Sequence, residues 1–270
     1  MVELKNKYKL GVRRFSIVNW VGFFGLYKKE VFRFFVVWQQ TLLSPLVSVG
    51  LFLLVLYLAI GNERGEVLGS PFMTFLAPGL ICMQICNQAF SHSSSSIMIG
   101  KMQNILVDTI MAPLSDAEVT LAITLAAVTR SIVIAASCII FFSFFVDLSI
   151  NNFWYLAFFT FSGSFILGSA GIIAGQCSDK FDNLSAITNF VLTPLTFCSG
   201  TFYSLERLPE TLREISLYNP IFLIINGFRA SFIDATDGPI GYSIFYLLIL
   251  CILTWLGAFT LFKSGYKIKS

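Results

Sequence analysis

A histidine followed by four serines is the part of this sequence that most resembles a catalytic group. His92 is the only histidine, and Ser93 to Ser96 follow it directly. A serine activated by a histidine base could hydrolyse an ester. Adjacent residues on a helix point in different directions, however, and the G-x-S-x-G motif of hydrolases is absent. No acid lies within the same apolar segments to orient the imidazole. We therefore interpret His92 as a hydrogen-bonded packing residue.

Polar side chains recur around His92 at helical spacing. They are Gln84, Asn87, Gln88, Ser91 and Ser95. Lipid offers amides and hydroxyls no partners, so such a stripe must face protein or water. Two interpretations remain open, namely hydrogen bonds that pack helices together and the wall of a translocation path.

Arg130 is a charged residue deep inside another apolar segment. It lies twelve residues after Glu118, hence about 18 Å along a helix. A central arginine costs on the order of 3 kcal/mol to insert. Arg130 must therefore contact carbonyls, aromatic rings or water in a cavity, and both a structural and a functional role are open.

The composition is that of an integral membrane protein. Of the 270 residues, 56% are hydrophobic and only 12% are charged, and the mean hydropathy is +0.78. A soluble domain would carry about a quarter charged residues. The basic residues cluster at the ends of apolar segments, which disfavours a nucleic-acid-binding surface.

Six apolar segments meet the roughly 20 residues that a membrane-spanning helix needs. They are 34–60, 72–100, 119–146, 153–175, 184–203 and 240–262. An even number places both termini on one side. Thirteen basic residues then fall on that side and four (Arg64, Arg207, Arg213, Arg229) on the other. The positive-inside rule predicts that both termini are cytoplasmic. The fold class is thus an all-α membrane protein, with residues 1–270 as a single transmembrane domain.

Residues 16–33, before the first span, are predicted to form an amphipathic helix in the cytoplasmic headgroup layer. Trp20, Phe23, Phe24, Tyr27 and Val31 recur at helical spacing, while the lysines point elsewhere. The alternative is that this segment is the helical start of span one.

The turn between the second and third spans is too polar to cross the membrane and too apolar for a free loop. Ile105, Leu106, Thr109 and Ile110 can form one face of a short helix that Pro113 ends. Ser115 and Glu118 then have the spacing of a capping box that opens span three. We expect a soluble protein docked at the cytoplasmic face to cover this short helix.

The fourth span is rich in small residues, and Gly171 and Gly175 form a Gly-x-x-x-Gly motif. Such a motif permits close approach of two helices. We interpret it as packing either inside the bundle or at a dimer seam.

The stretch from Phe190 to Pro220 begins as a membrane-depth apolar run and then breaks at Gly200, Phe202 and Tyr203. A short amphipathic piece follows and ends at Asn219-Pro220, before a second apolar stretch. Residues 205–233 are therefore predicted to form a re-entrant pair of short helices on the external face. Such a pair suits a substrate gate or exit vestibule.

No energy source is encoded in the sequence, which lacks G-x-x-x-x-G-K-[ST] and a chain of buried acids. A transporter of this kind must take its energy from another protein.

Two other functional classes are alternatives to a transporter. A membrane-embedded lipid-modifying enzyme would need clustered acids or histidines, but Glu206, Glu210 and Glu214 have the spacing of charge pairs on a wet helix. A passive channel or scaffold would not need a docking turn.

These segments together resemble the membrane subunits of ABC-2 type transporters, and most closely the YadH-like branch of bacterial permeases. The resemblance covers nearly the whole chain. Its most specific parts are FDNLSAITNFVLTPLTFCSGTFYSLERLP and LYNPIFLIINGFR. Gly200, Phe202, Tyr203, Leu208, Pro209, Asn219 and Pro220 stand where the family has its Gly-x-Phe-aromatic, Leu-Pro and Asn-Pro motifs.

The resemblance implies a permease of the bacterial inner membrane that exports a lipid-linked saccharide, a lipid or a drug-like molecule. It implies a dimer of permeases, which we expect to be a homodimer, driven by two separate ATPase subunits. ATP and Mg²⁺ would bind to those subunits, so no cofactor or metal is expected in this chain. Residues 104–112 would be the coupling helix, with Asn104, Ile105, Leu106, Asp108, Thr109, Ile110 and Pro113 at the ATPase contact. The translocation path or gate would include Gln84, Asn87, Gln88, Ser91 and Arg130 together with the seven motif residues given above.

Overall fold

The chain is described by a computed structural model that covers residues 18–60, 67–205, 209–233 and 236–267. Within these ranges the chain forms eleven α-helices and no β-strand. They are α1 (Trp20–Val36), α2 (Ser44–Ile60), α3 (Phe72–Met102), α4 (Ile105–Met111), α5 (Asp116–Phe142), α6 (Phe153–Cys177), α7 (Phe181–Ile187), α8 (Thr193–Phe197), α9 (Glu210–Tyr218), α10 (Pro220–Arg229) and α11 (Ile240–Lys263). Two π-helical turns, Gln39–Leu43 and Thr188–Leu192, lead directly into α2 and α8.

Four helical segments in the described part of the chain are long and apolar enough to cross a membrane. They are Gln39–Ala59, Asp116–Phe142, Phe153–Cys177 and Ile240–Lys263. The predicted segment 72–100 lies in α3, which has 31 residues. The predicted segment 184–203 corresponds to a helical run, 181–197, that a π turn interrupts. The six-span count therefore stays a prediction.

The first predicted span begins later than expected. Val37 has non-helical dihedral angles and ends α1, so α1 is separate from the helical run that starts after it. The predicted interface helix 16–33 is observed at Trp20–Val36, and its residues 16–17 lie outside the described ones. The basic residues before position 18, together with Arg64, Arg207 and Lys269, also lie outside the described ranges, so orientation in the membrane stays a prediction.

The buried face of α1 differs from the predicted aromatic face. Phe23, Leu26, Glu30 and Phe34 are buried, whereas Trp20 and Phe24 of the predicted face are exposed. The helix is amphipathic, as predicted, but its buried side includes one carboxylate, that of Glu30.

The long helix α3 lies at the centre of the bundle and packs against α5, α6 and α10. Its closest neighbour is α6, because glycines there leave room for the α3 backbone. A Cβ atom at Gly171 would lie 2.5 Å from the carbonyl oxygen of Phe90, and one at Gly175 would lie 2.7 Å from that of Ser94. The Gly-x-x-x-Gly motif therefore packs inside the subunit rather than at a dimer seam.

Helix α10 is almost wholly enclosed. Residues 221–229 are all buried, and the helix contacts α3, α6 and α11. Its ten residues span only about 15 Å, half the thickness of a bilayer core. A short apolar helix buried within protein fits the predicted re-entrant segment 205–233, of which residues 206–208 lie outside the described ranges.

Candidate functional site

The turn between α3 and α5 forms the short helix α4, as the sequence predicts. Asn104 allows the sharp bend that precedes it, because its backbone adopts a left-handed conformation with φ of 57°. Asparagine is one of the few residues that visit this region readily. The helix ends at Met111, and Ala112 and Pro113 return the chain to α5.

The two sides of α4 have different surroundings. Leu106 is buried against Gly100 within the subunit. Met111, Ile110 and Val107 are 80%, 44% and 40% exposed, and they form what we call the docking face. Of the other predicted coupling residues, Asn104, Asp108 and Pro113 are exposed, and Ile105 and Thr109 are half-buried. Leu106 therefore anchors α4 from inside and has no surface to offer a partner.

The predicted capping box is present at the start of α5. Ser115 Oγ accepts a hydrogen bond from the Glu118 amide, and Glu118 Oε2 accepts one from the Ser115 amide at 2.7 Å. The other oxygen of Glu118 accepts from the Asn19 amide at 2.6 Å, and Asn19 Nδ2 donates to the Pro113 carbonyl at 2.9 Å. The start of α1 is thus fastened to the turn between α4 and α5.

A buried polar cluster joins α1 to α3 near the same turn, and the sequence did not indicate it. Glu30 Oε2 accepts from Ser96 Oγ at 2.8 Å and forms an ion pair with Arg33 at 3.0 Å. Arg33 also donates to the His92 carbonyl at 2.9 Å. A cavity of about 70 Å³ separates this cluster from Leu106 on α4. The signal in the sequence that could have predicted this cluster was the helical spacing of Glu30 from the aromatic residues of α1.

His92 does not form a hydrolytic pair. It is fully buried, and neither imidazole nitrogen has a hydrogen-bond partner among the described residues. The Glu30 carboxylate of α1 lies 3.8 Å from Nε2. The predicted spans themselves contain no acid, and Glu30 belongs to the predicted interface helix instead. The hydrogen bonds expected of a packing histidine are not observed among the described residues.

Replacing Glu30 by glutamine is expected to loosen α1 from α3. The substitution keeps the side-chain shape but weakens the charge-assisted hydrogen bonds from Arg33 and Ser96, and we expect the free energy of unfolding to fall by about 1.5–3 kcal/mol. Titration with sodium dodecyl sulfate in mixed micelles measures this. Glu214→Gln, on the exposed side of α9, is the matched control. Equal stability of the two variants would mean that the cluster does not hold α1.

The predicted polar stripe forms one face of α3 and is partly accessible. Ser91 is exposed, and Gln84, Asn87 and Gln88 are half-buried. Arg130 on α5 reaches this stripe, where its Nη2 donates to Gln88 Oε1. The structure therefore brings Arg130 into contact with Gln88, while Gln84, Asn87 and Ser91 lie along the same face of α3. We call this group the polar face.

An ion pair outside the predicted spans joins the residues after α6 to the residues after α11. Lys267 Nζ donates to Asp179 Oδ2 at 2.7 Å. This bond raises the pKa of the Lys267 ammonium and lowers the pKa of the Asp179 carboxyl. The pair is therefore intact at neutral pH and breaks as pH falls through the lowered pKa of Asp179. Both groups are exposed, so solvent screens the attraction.

The break after α8 depends on Gly200, whose φ is 68°. A Cβ atom there would lie 2.9 Å from the ring of Phe222, so only glycine fits both the conformation and the space. Asn219 begins α10 by accepting from the Ile221 amide at 3.0 Å, and its Nδ2 donates to Ser199 Oγ at 2.9 Å. Pro220 occupies the first helical position, where its missing amide hydrogen costs nothing.

The remaining predicted gate residues are only partly brought together. Phe202 stacks on Phe197 and contacts Phe52 of α2, each with ring centroids 5.5 Å apart. Tyr203 donates to the Cys198 carbonyl at 2.7 Å. Pro209 caps α9 and is exposed, and Leu208 lies outside the described residues.

Arg229 holds this outer region together, although the sequence suggested only an external charge. Its side chain is fully buried and lies 3.7 Å from the centre of the Phe75 ring. It donates to the carbonyls of Phe75 and Gly200 at 3.1 and 2.8 Å, and its Nη1 lies 3.7 Å from Asp237 Oδ2. Asp237 in turn accepts from Ser204 Oγ and the Leu205 amide. Arg229 therefore ties α3, the Gly200 break and the segment after α10 to one point.

A groove of about 990 Å³ opens between α2, the start of α3 and the end of α5. Its lining is mainly apolar and includes Tyr57, Phe72, Met73 and Phe141. This groove was not predictable from the sequence, where most phenylalanines were expected to face lipid. A groove of this size and lining can hold the hydrocarbon part of a ligand.

The described residues contain no cluster of three His, Cys, Asp or Glu side chains able to hold a metal ion. An exposed docking face lies at one end of α3 and α5, and the polar face lies at mid-helix. The Gly200 break is joined to the other end of α3 through Arg229.

Comparisons with known proteins identify related sequences. A family model described as ABC-2 type transporter matches residues 22–233. The chain is also similar to inner membrane transport permeases named YadH, from Escherichia coli strain K12, Escherichia coli O157:H7 and Shigella flexneri. Each is 29% identical over 251 residues, which cover 93% of this chain and 98% of the relative.

Proposed function

We propose that this chain, which belongs to the ABC-2 type transporter family, is the membrane-spanning permease subunit of an ATP-driven exporter. Its similarity to inner membrane transport permeases over nearly its whole length supports a multi-pass inner membrane location. The single observation that carries the coupling part of this proposal is the docking face. Three apolar side chains are exposed on a helix that the rest of the subunit holds in place.

A separate ATPase is the partner that this face would contact. Exposed apolar residues at the mouth of two spans need cover from protein, because the turn is too polar to lie in the membrane. The sequence has no nucleotide-binding loop of its own. We expect two ATPase subunits per complex, which bind the ATP and Mg²⁺, and a second copy of this permease.

The proposed topology has six spans and cytoplasmic ends. Helix α3 and the run 181–197 complete the set of four apolar spans, and α1 lies in the cytoplasmic headgroup layer. The coupling turn is then cytoplasmic, and the Gly200 break with residues 205–233 is external. The distribution of basic residues supports this orientation.

Force applied to α4 has a rigid route to the other side of the membrane. Leu106 of α4 packs against Gly100 of α3. Asn19, before α1, bonds both the Pro113 carbonyl after α4 and Glu118 of α5, which joins α1 to the same unit. Helix α3, which is 31 residues long, carries near its other end the Phe75 carbonyl that Arg229 holds. Closure of the ATPase dimer on ATP would shift this unit between two packings of the bundle.

The polar face and the apolar groove favour an amphiphilic cargo, such as a lipid-linked saccharide, a lipid or a hydrophobic drug. A lipid-modifying enzyme is less well supported, since His92 lacks a hydrogen-bond partner among the described residues and sits beside a single acid. A passive channel or scaffold would have no use for the docking face.

Aspartate at Ile110 or Met111 is expected to detach the ATPase. Each places a charge in the centre of an apolar contact, and we expect at least about tenfold less ATPase to co-purify with the permease. The measurement is affinity purification of the permease co-expressed with its ABC ATPase subunit, followed by ATP hydrolysis in nanodiscs.

Tyr266→Asp is the control, since Tyr266 is also exposed but lies beyond α11. It should leave the ATPase bound. Leu106→Asp should instead unfold the subunit, because Leu106 is buried. Normal ATPase recovery with both Ile110→Asp and Met111→Asp would contradict the proposed docking face, and cargo movement without nucleotide would contradict the ATP-driven exporter.

A further inference from the structure

Three arginines reach into the helical bundle, and two of them have carboxylate partners. Arg33 lies 3.0 Å from Glu30, and Arg229 lies 3.7 Å from Asp237. Arg130 forms no ion pair with any described residue. Its only described hydrogen bond goes to the neutral amide of Gln88, and its buried Nε has no partner.

The position of Arg130 makes this isolation costly. It lies fourteen residues after the start of α5 at Asp116, hence about 21 Å along the helix and near the middle of the proposed membrane. A second copy of the chain could not easily supply the missing carboxylate. The sequence has no Asp or Glu between Glu118 and Asp147, or between Asp147 and Asp179, and none within the other predicted spans.

The groups around Arg130 can donate hydrogen bonds. Gln88 accepts from Arg130 with its oxygen, which leaves its NH₂ group free to donate. The side chains of Asn87 and Ser91 make no hydrogen bond within the described chain and are accessible. A guanidinium that contacts a helix face carrying amide and hydroxyl donors can bind phosphate or carboxylate oxygens.

The same helix faces lead from this point to the apolar groove. Phe141 lies eleven residues after Arg130 on α5, and Met73 lies eleven residues before Gln84 on α3. Eleven residues make about three turns, so each pair shares one helix face, about 16 Å apart. Both Phe141 and Met73 line the groove. A ligand with an anionic head at Arg130 could therefore extend a hydrocarbon tail towards it.

We propose that Arg130, Gln88, Asn87 and Ser91 bind the oxyanion headgroup of an amphiphilic substrate at mid-membrane, with its hydrocarbon tail directed to the groove. This proposal rests on the permease function proposed above and narrows its cargo to anionic amphiphiles. Phosphate and carboxylate heads share the required chemistry. Ammonium heads are excluded, because Arg130 would repel them.

Binding of three probes with the same tail tests the site directly. Dodecyl phosphate, dodecanoate and dodecyltrimethylammonium are each added to the full chain in phosphatidylcholine nanodiscs, and bound probe is measured by equilibrium dialysis. We expect at least one anionic probe to bind the unaltered protein, and Arg130→Gln to weaken that binding about tenfold or more. Arg130→Lys should weaken it less, since it keeps the charge. Neither change should weaken retention of the cationic probe, since that probe has no favourable contact with Arg130 to lose.

Arg213→Gln is the matched control, because it removes an exposed arginine on α9. Equal binding of the anionic probes to Arg130→Gln and to the unaltered protein would overturn the proposal, as would failure of both to bind the unaltered protein. If Arg130→Gln does not fold, two other measurements test the proposal. They are the affinity of Arg130→Lys for the anionic probes and the preference of the unaltered protein for an anionic over the cationic probe. The relative affinities of the two anionic probes identify the headgroup.

ATPase association, measured in parallel, separates this proposal from the permease function. Loss of anion binding in Arg130→Gln with normal ATPase association supports both. Failure of anion binding with normal ATPase association removes only the headgroup site. Failure of the unaltered protein to associate with the ATPase would remove the exporter function and leave the binding result standing.

Discussion

Arg229→Ala is expected to destabilise the subunit by about 3–5 kcal/mol, which is enough to prevent stable folding. Removing one member of a buried charge pair leaves the other, here Asp237, uncompensated in a site that excludes water. The substitution also removes the donors to the Phe75 and Gly200 carbonyls. The outer end of α3 would then lose its attachment to the Gly200 break.

The free energy of unfolding, from sodium dodecyl sulfate titration in mixed micelles, measures this effect. Arg213→Ala should change it by less than about 1 kcal/mol, because Arg213 is exposed. Adding Asp237→Asn to Arg229→Ala should recover part of the loss, since it removes the stranded charge while keeping an oxygen for the Leu205 amide. If Arg229→Ala were as stable as Arg213→Ala, Arg229 would not be the residue that holds the outer end of α3 to the Gly200 break.

The double substitution Gly171→Ala and Gly175→Ala is expected to separate α6 from α3. Each new methyl group would lie 2.5–2.7 Å from a carbonyl oxygen of the α3 backbone, which cannot rotate aside as a side chain can. Overpacking of this kind costs about 1–3 kcal/mol per site. The expected outcome is loss of several kcal/mol of stability and of substrate-stimulated ATP hydrolysis in the complex.

Gly241→Ala on α11 controls for the substitution itself, because no atom lies within 4 Å of a Cβ atom there. It should be neutral or slightly stabilising, since alanine favours helix more than glycine does. Wild-type stability of the double alanine variant would show that α3 and α6 can accommodate the two added methyl groups. In that case the motif would be available for contact with a second copy.

Local features of this chain were readable from the sequence because they depend on neighbours in the chain. The capping box of Ser115 and Glu118 is observed as predicted, since its atoms are three residues apart. A short helix is observed at Ile105–Met111, where a coupling helix was predicted over 104–112. The apolar lengths of α5, α6 and α11 likewise predicted those helices to within about four residues at each end.

The orientation of each helix was less predictable. Periodicity assigned Leu106 and Ile110 to one face, but the bundle buries Leu106 and exposes Ile110. In α1 the spacing of the aromatic residues predicted a different buried face and did not predict that Glu30 is buried. Which side of an apolar helix is buried depends on the helices that pack against it, and an almost uniformly apolar sequence carries little signal for that choice.

Composition and motifs were enough to identify a helical membrane protein of the ABC-2 type, to place α4, α5, α6 and α11 closely, and to predict the capping box of α5. The fold was needed to show which partners the buried charged groups have, since Arg229 donates to a carbonyl 154 residues away and Glu30 accepts from a serine 66 residues away. A buried charge must find its partner wherever the fold brings one within reach. Among the described residues Arg130 found none, and that distinction appears in no local pattern of the chain.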